Sequence, residues 1–143
     1  MDFDLAEIDT RTAANDGVWL PLMRVDGSPL TVRDEPVRVR LLGQDSDAYR
    51  QRMREHLRRR LERRAAGDIA PTLDDLDRAE QEGNEILAAC TADWSGVYSL
   101  SGDKIRCSFD AALALYQRFP VIREQVDRFV ANRANFIAAS SRA

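Results

Sequence analysis

The spacing of apolar and polar positions changes several times along the chain, and each change marks an element. Val37-Arg38-Val39-Arg40-Leu41 alternates strictly, with three aliphatics on one side and two arginines on the other, which predicts a half-buried strand. Upstream, Val18-Trp19-Leu20-Pro21-Leu22-Met23-Arg24-Val25 runs into Asp26-Gly27, a pair that tolerates positive φ at both positions of a tight turn. Residues 18–42 are therefore expected to form a β-hairpin. Pro21, Pro29 and Pro36 cannot donate to a strand ladder and restrict it to a small sheet with exposed edges or to broken pairings.

Beyond Gly43 the period lengthens to four. Tyr49, Met53, Leu57 and Leu61 make one narrow apolar stripe on a helix that Asp45 or Ser46 can cap and Gly67 ends. Pro71-Thr72 opens a second helix, with Thr72 as N-cap and Asp75 completing a capping-box-like arrangement, and its apolar face runs through Leu73, Leu76, Gly83, Ile86, Leu87 and Cys90. The short loop between the two predicts an antiparallel helical hairpin over 46–90. Residues 91–108, with Trp94-Ser95-Gly96 and Ser101-Gly102-Asp103, lose the helical rhythm and predict a compact loop or small ribbon. Ser108 caps a helix from Phe109 to Phe119, and Pro120 opens a last one through Ile122, Val126, Phe129, Val130, Phe136 and Ile137. Residues 1–17, closed by Asn15-Asp16-Gly17, read as a loosely held arm, and 140–143 as a frayed end. The fold class is α+β and predominantly helical, a short N-terminal β-hairpin followed by four helices. All of it is expected in one domain over 1–143, with a Trp loop and C-terminal helical pair in 91–140.

A chain of 143 residues with 44% hydrophobic content can bury one core without disulfides or metals. Cys90 and Cys107 lack the partners of a zinc or disulfide framework, so reduced thiols in the cytoplasm are expected. The acidic start, Met1-Asp2-Phe3-Asp4, is unlike a signal peptide, and no apolar run nears the roughly 20 residues of a membrane span, so neither export nor membrane insertion is expected. The net charge of −3 conceals strong segregation. The first long helix carries Arg50, Arg52, Arg54, Arg58, Arg59, Arg60, Arg63 and Arg64, and the next carries Asp74, Asp75, Asp77, Glu80, Glu82 and Glu85. Opposite charges should face each other across the flanks of the hairpin.

Candidate chemistry is sparse. The lone His56 lies among arginines and reads as a surface histidine, no GxSxG, Walker, HExxH or paired-cysteine motif occurs, and the glycines are scattered singly. No enzyme activity, cofactor or metal is expected. The arginine helix could contact phosphates in a salt-dependent way, but the acidic helix beside it favours ion pairs over a nucleic-acid footprint. Trp19, Trp94 and the Phe136-Ile137 pair are core residues first and partner anchors second. The candidate partner-binding residues are Arg54, Arg58, Arg59, Arg60, Trp94, Phe129 and Phe136.

The order of several segments resembles a known family. These are Phe3-Asp4-Leu5 with Asp9-Thr10; the junction from Leu42-Gly43-Gln44-Asp45-Ser46 to Asp47-Ala48-Tyr49-Arg50; Trp94-Ser95-Gly96; Ile122-Arg123-Glu124-Gln125-Val126-Asp127-Arg128-Phe129; and Arg133-Ala134-Asn135-Phe136. Together they resemble the tail assembly chaperones, small proteins encoded between the tail tube and tape-measure proteins of tailed phages and prophages. The resemblance implies a non-enzymatic protein of the bacterial host cytoplasm. It would bind the tape-measure protein and promote tube assembly around it, without necessarily remaining in the virion. A structural or connector component of the tail, and a nucleic-acid-binding regulator using the arginine helix, are the alternatives.

Overall fold

The computed structural model describes residues 2–67 and 73–137. The fold is α+β and mostly helical. A short helix α1 (Arg11–Asp16) precedes strands β1 (Val18–Pro21), β2 (Thr31–Val32), β3 (Glu35–Pro36) and β4 (Arg38–Leu41). Two long helices follow, α2 (Asp47–Ala65) and α3 (Leu73–Ala89), then strand β5 (Thr91–Ser95) and helices α4 (Phe109–Arg118) and α5 (Pro120–Ala131). Thr72, expected as an N-cap, and 140–143, expected as a frayed end, lie outside the described residues.

β4 is the organising strand because its alternation is real: Val37, Val39 and Leu41 are buried while Arg38 and Arg40 face outward. It pairs antiparallel with β1 on one side and β5 on the other, giving the order β1-β4-β5. The expected hairpin is thus present as the β1–β4 pair, but its connection is more elaborate than one turn at Asp26-Gly27. Met23 bridges Pro29 across that turn, and a second hairpin, β2–β3, reverses at Arg33 and Asp34, both at positive φ.

Residues 91–95, expected in a loop or ribbon, are the third strand of this sheet. A bulge between Arg40 and Leu41 shifts the register so that Thr91 and Trp94 are both buried, which breaks the two-residue period that would have identified a strand. Trp94 donates its indole N–H to the Ile105 carbonyl at 2.8 Å. Just beyond it, Gly96 has φ +79° and a Cβ there would lie 2.6 Å from the Pro36 carbonyl oxygen, so the backbones of these segments touch only because no side chain intervenes.

The helices pack on one face of the sheet around Val39, Leu41, Leu87, Ala88, Trp94, Ala112, Tyr116, Val126 and Val130. Within this core, Thr91 Oγ1 donates to the Leu87 carbonyl at 2.8 Å, so the 2.6 Å bond between Tyr116 and Thr91 must run from the phenol to the Thr91 oxygen. Burial pushes the Tyr116 hydroxyl pKa up. Ser46 and Ser108 cap α2 and α4 by accepting from the backbone N–H of Tyr49 and Ala111.

The last helix is shorter than its apolar pattern suggests. It ends at Ala131, and Asn132 begins a 3-10 turn over Arg133–Phe136 by accepting from Ala134 N–H at 3.1 Å. The turn carries Phe136 into the interior, where its ring meets Phe129 edge-on at 5.5 Å. The N-terminal stretch is tied to the same place. Asp45 accepts from Thr10 Oγ1 at 2.7 Å and from both ends of the Arg133 guanidinium fork at 2.8 and 3.0 Å, and Asn15 accepts from Asp47 N–H. Ala14 and Phe136 close on Gly43 so tightly that a Cβ there would lie 2.9 Å from each.

Candidate protein-binding surface

α2 and α3 pack antiparallel, and the seam between them is charged. The expectation that opposite charges face one another holds. Arg60 donates to Glu82 at 2.9 Å with Arg63 at 3.8 Å from the same carboxylate, and Arg59 stands 3.7 Å from Glu85. Glu82 is only 8% exposed, so its charge depends on these guanidinium groups for compensation.

His56 corrects the surface reading. It is 2% exposed, in the seam, where Nε2–H donates to Glu85 at 2.9 Å and Nδ1 has no partner. Its neighbours in sequence are arginines, but α3 supplies the carboxylate that makes burial tolerable.

Because the seam is charged, the apolar stripe of α2 lies on an adjacent face. Tyr49, nearest the sheet, is half-buried against the core. Farther out Met53 is 42% exposed, Leu57 54% and Leu61 56%. α3 has the same gradient along the face of Gly83. A Cβ at Gly83 would lie 2.9 Å from an Arg123 nitrogen of α5, while Leu76, two turns earlier, is 67% exposed and Leu73 80%. Among the described residues, α5 therefore covers the base of the hairpin and leaves its outer half bare.

The structure divides the seven candidate residues into two groups. Arg58, Arg59 and Arg60 lie on the outer half of α2 and are exposed, Arg58 bonded to Glu62 at 3.0 Å. Arg54, also exposed, makes no ion pair among the described residues. Trp94 and Phe136 are buried, and Phe129 packs against the core with its ring at 71° to that of Phe136, so these aromatic rings hold the fold together. Trp19 is more exposed, with the Arg38 guanidinium 5.1 Å above its ring.

Sequence reasoning missed a second apolar surface. A groove of about 420 Å³ opens between the β2–β3 hairpin and the α4–α5 junction, lined by Met23, Leu30, Val32, Val97, Leu115, Phe119 and Ile122. Gln125 fixes its rim, accepting from Met23 N–H at 2.8 Å and donating to the Met23 carbonyl at 2.9 Å as a strand neighbour would. The only sequence signal was the excess of apolar residues in a proline-rich stretch.

Burial pushes the Cys90 thiol up to about 12 and raises Cys107 as well, which disfavours thiolate at both. Among the described residues no group of three His, Cys, Asp or Glu could hold a metal ion, and no helix is long and apolar enough to cross a membrane. Compared with protein-family models, curated proteins and solved structures, the chain matches none.

Proposed function

We propose that this protein binds helical protein partners and acts as a tail assembly chaperone of the phage type, engaging the tape-measure protein and promoting assembly of the tube protein around it. The observation that carries this reading is the outer half of the α2–α3 hairpin. There Leu57, Leu61 and Leu76 stand exposed on two helices whose other exposed positions carry arginines on α2 and acids on α3. An amphipathic helix could lay its apolar stripe on these leucines and its charged flanks on either set, the way helices are held in grooves. The sequence resemblance supplies the identity of the partners.

The seam adds selectivity for protein over nucleic acid. Arg59, Arg60 and Arg63 are engaged by Glu82 and Glu85, so a phosphate backbone approaching the seam would meet arginines already neutralised by neighbouring carboxylates.

The test is a tagged pull-down from cells expressing the neighbouring phage genes, with nuclease, at two salt concentrations, followed by mass spectrometry. Recovery of a long helical tape-measure-like protein or the tube protein, lost in the Leu57→Asp/Leu61→Asp variant, is the expected result. Recovery of nucleic acid alone, released by high salt, would replace this reading with the regulator.

A further inference from the structure

We infer that the segment Asp2-Phe3-Asp4-Leu5-Ala6-Glu7, which stands open in the structure, is a strap that closes over a basic recess beside the N-terminal end of α2. Closure seats Phe3 and Leu5 beside Tyr49 and Met53 and brings the carboxylates of the strap to Arg50 and Arg54. It needs no second molecule and does not rest on the chaperone reading.

The recess has two lobes that share Asp45, Arg50 and Arg133. One, of about 470 Å³, is lined by Tyr49, Met53 and Arg54, and the other by Ile8 and Asp9. Both carboxylates of the recess are engaged. Asp45 accepts from Thr10 and Arg133, and Asp9 accepts from the backbone N–H groups of Arg11 and Thr12. Arg50 and Arg54 are exposed, lie one helical turn apart and make no side-chain hydrogen bond or ion pair among the described residues. The recess therefore presents two guanidinium groups without counter-charge beside the partly exposed Tyr49 and Met53.

The strap lacks what the recess offers. Phe3, Leu5 and Ile8 are exposed, and Asp2, Asp4 and Glu7 make no side-chain hydrogen bond or ion pair among the described residues. Its anchor is already in place, because Thr10 is bonded to Asp45 and Ile8 lines the recess. From Ile8 to Phe3 the extended chain spans up to about 17 Å, whereas Arg50 and Arg54 are only about 6 Å apart along the helix axis. In an extended segment Phe3 and Leu5 point to one side and Asp2 and Asp4 to the other. The apolar groups can then enter the recess while the carboxylates stay at its rim, where the exposed arginines are. A tether this short holds the acids near the arginines at roughly millimolar effective concentration, which favours the strap over an acidic peptide free in solution.

The experiment is NMR on the full chain, following nuclear Overhauser contacts between the Phe3 ring and the Met53 methyl group, with amide spectra to confirm that each variant is folded. The wild type should show the contact. Arg50→Glu/Arg54→Glu should lose it, and the Met53 methyl signal should move to where Phe3→Leu places it by removing the ring. Adding Asp2→Lys/Asp4→Lys to Arg50→Glu/Arg54→Glu should restore the contact, since opposite charges again meet at the rim. A wild type without the contact, a contact indifferent to the arginine substitutions, or no recovery in the combined variant would each overturn the proposal. A Met53 signal that ignores the strap but moves on addition of a single-stranded oligonucleotide would overturn it in favour of a phosphate-binding recess. A closed strap with no client recovered in the pull-down leaves the closure standing and removes only the chaperone reading.

Discussion

At its base the α2–α3 hairpin is built as a core element: Leu87 and Ala88 are buried, Tyr49 packs beside them, and α4 and α5 lie across the outside. A few turns farther out the same two helices are held together by Arg60, Arg63 and Glu82, and their leucines face solvent. The difference teaches what each kind of contact is for. Apolar burial is non-directional and gains in proportion to area, so it stabilises the base strongly without choosing a register. Charged pairs add less net energy but tolerate only one pairing, so they keep the exposed end in register while leaving its apolar surface open.

This contrast can be broken most sharply at the sheet. Leu41→Ala, which empties a fully buried site, should cost about 2–5 kcal/mol in denaturant unfolding. In the seam, Arg60→Gln with Arg63→Gln should cost about 1–3 kcal/mol, because Glu82 is left buried without compensation. Glu82→Gln should cost less, since the side chain of Arg60 is 56% exposed and can turn to water. If the two effects are equal, the seam is not held by burial of the carboxylate. Tyr116→Phe removes one buried hydrogen bond and should cost about 1 kcal/mol. Leu61→Ala, at the exposed end, should change stability by no more than about 0.5 kcal/mol.

A pH titration sharpens the comparison from another side. The Arg133 and Thr10 hydrogen bonds hold the Asp45 carboxyl below its ordinary value. A carboxylate with a depressed folded pKa contributes stability that is present above its unfolded pKa and lost as pH falls through the folded one. Stability should therefore decline on acidification below about pH 4, and Asp45→Asn should flatten that limb in thermal melts taken across the range.

Much of the fold was legible because it rests on local rules. The alternation in Val37–Leu41, the serine caps at 46 and 108 and the change of period after Gly43 each depend on a few neighbouring residues. The features that were not legible depend on distant ones. The stripe from Tyr49 to Leu61 looks inward by periodicity, yet the side of α2 that meets α3 is His56, Arg59, Arg60 and Arg63, because Glu82 and Glu85 wait opposite. A single helix cannot announce what its partner offers. Likewise, Trp94 belongs to a strand only because a bulge lets two non-alternating residues turn inward, and Ala14 is buried only where Gly43 leaves room for it beside Phe136. Of the candidate binding residues, the arginines were legible as a surface from their density, whereas the aromatics were ambiguous because a large ring serves a core as readily as an interface.

Asp45 binds Thr10 and Arg133 with one carboxylate, so segments near the two ends of the described chain are held side by side. In topological terms the described chain from Thr10 to Arg133 is drawn into a loop fastened at one side chain. A clasp at one carboxylate closes a loop on each side of itself against chain entropy, so the long-range order of both segments is gained or lost together.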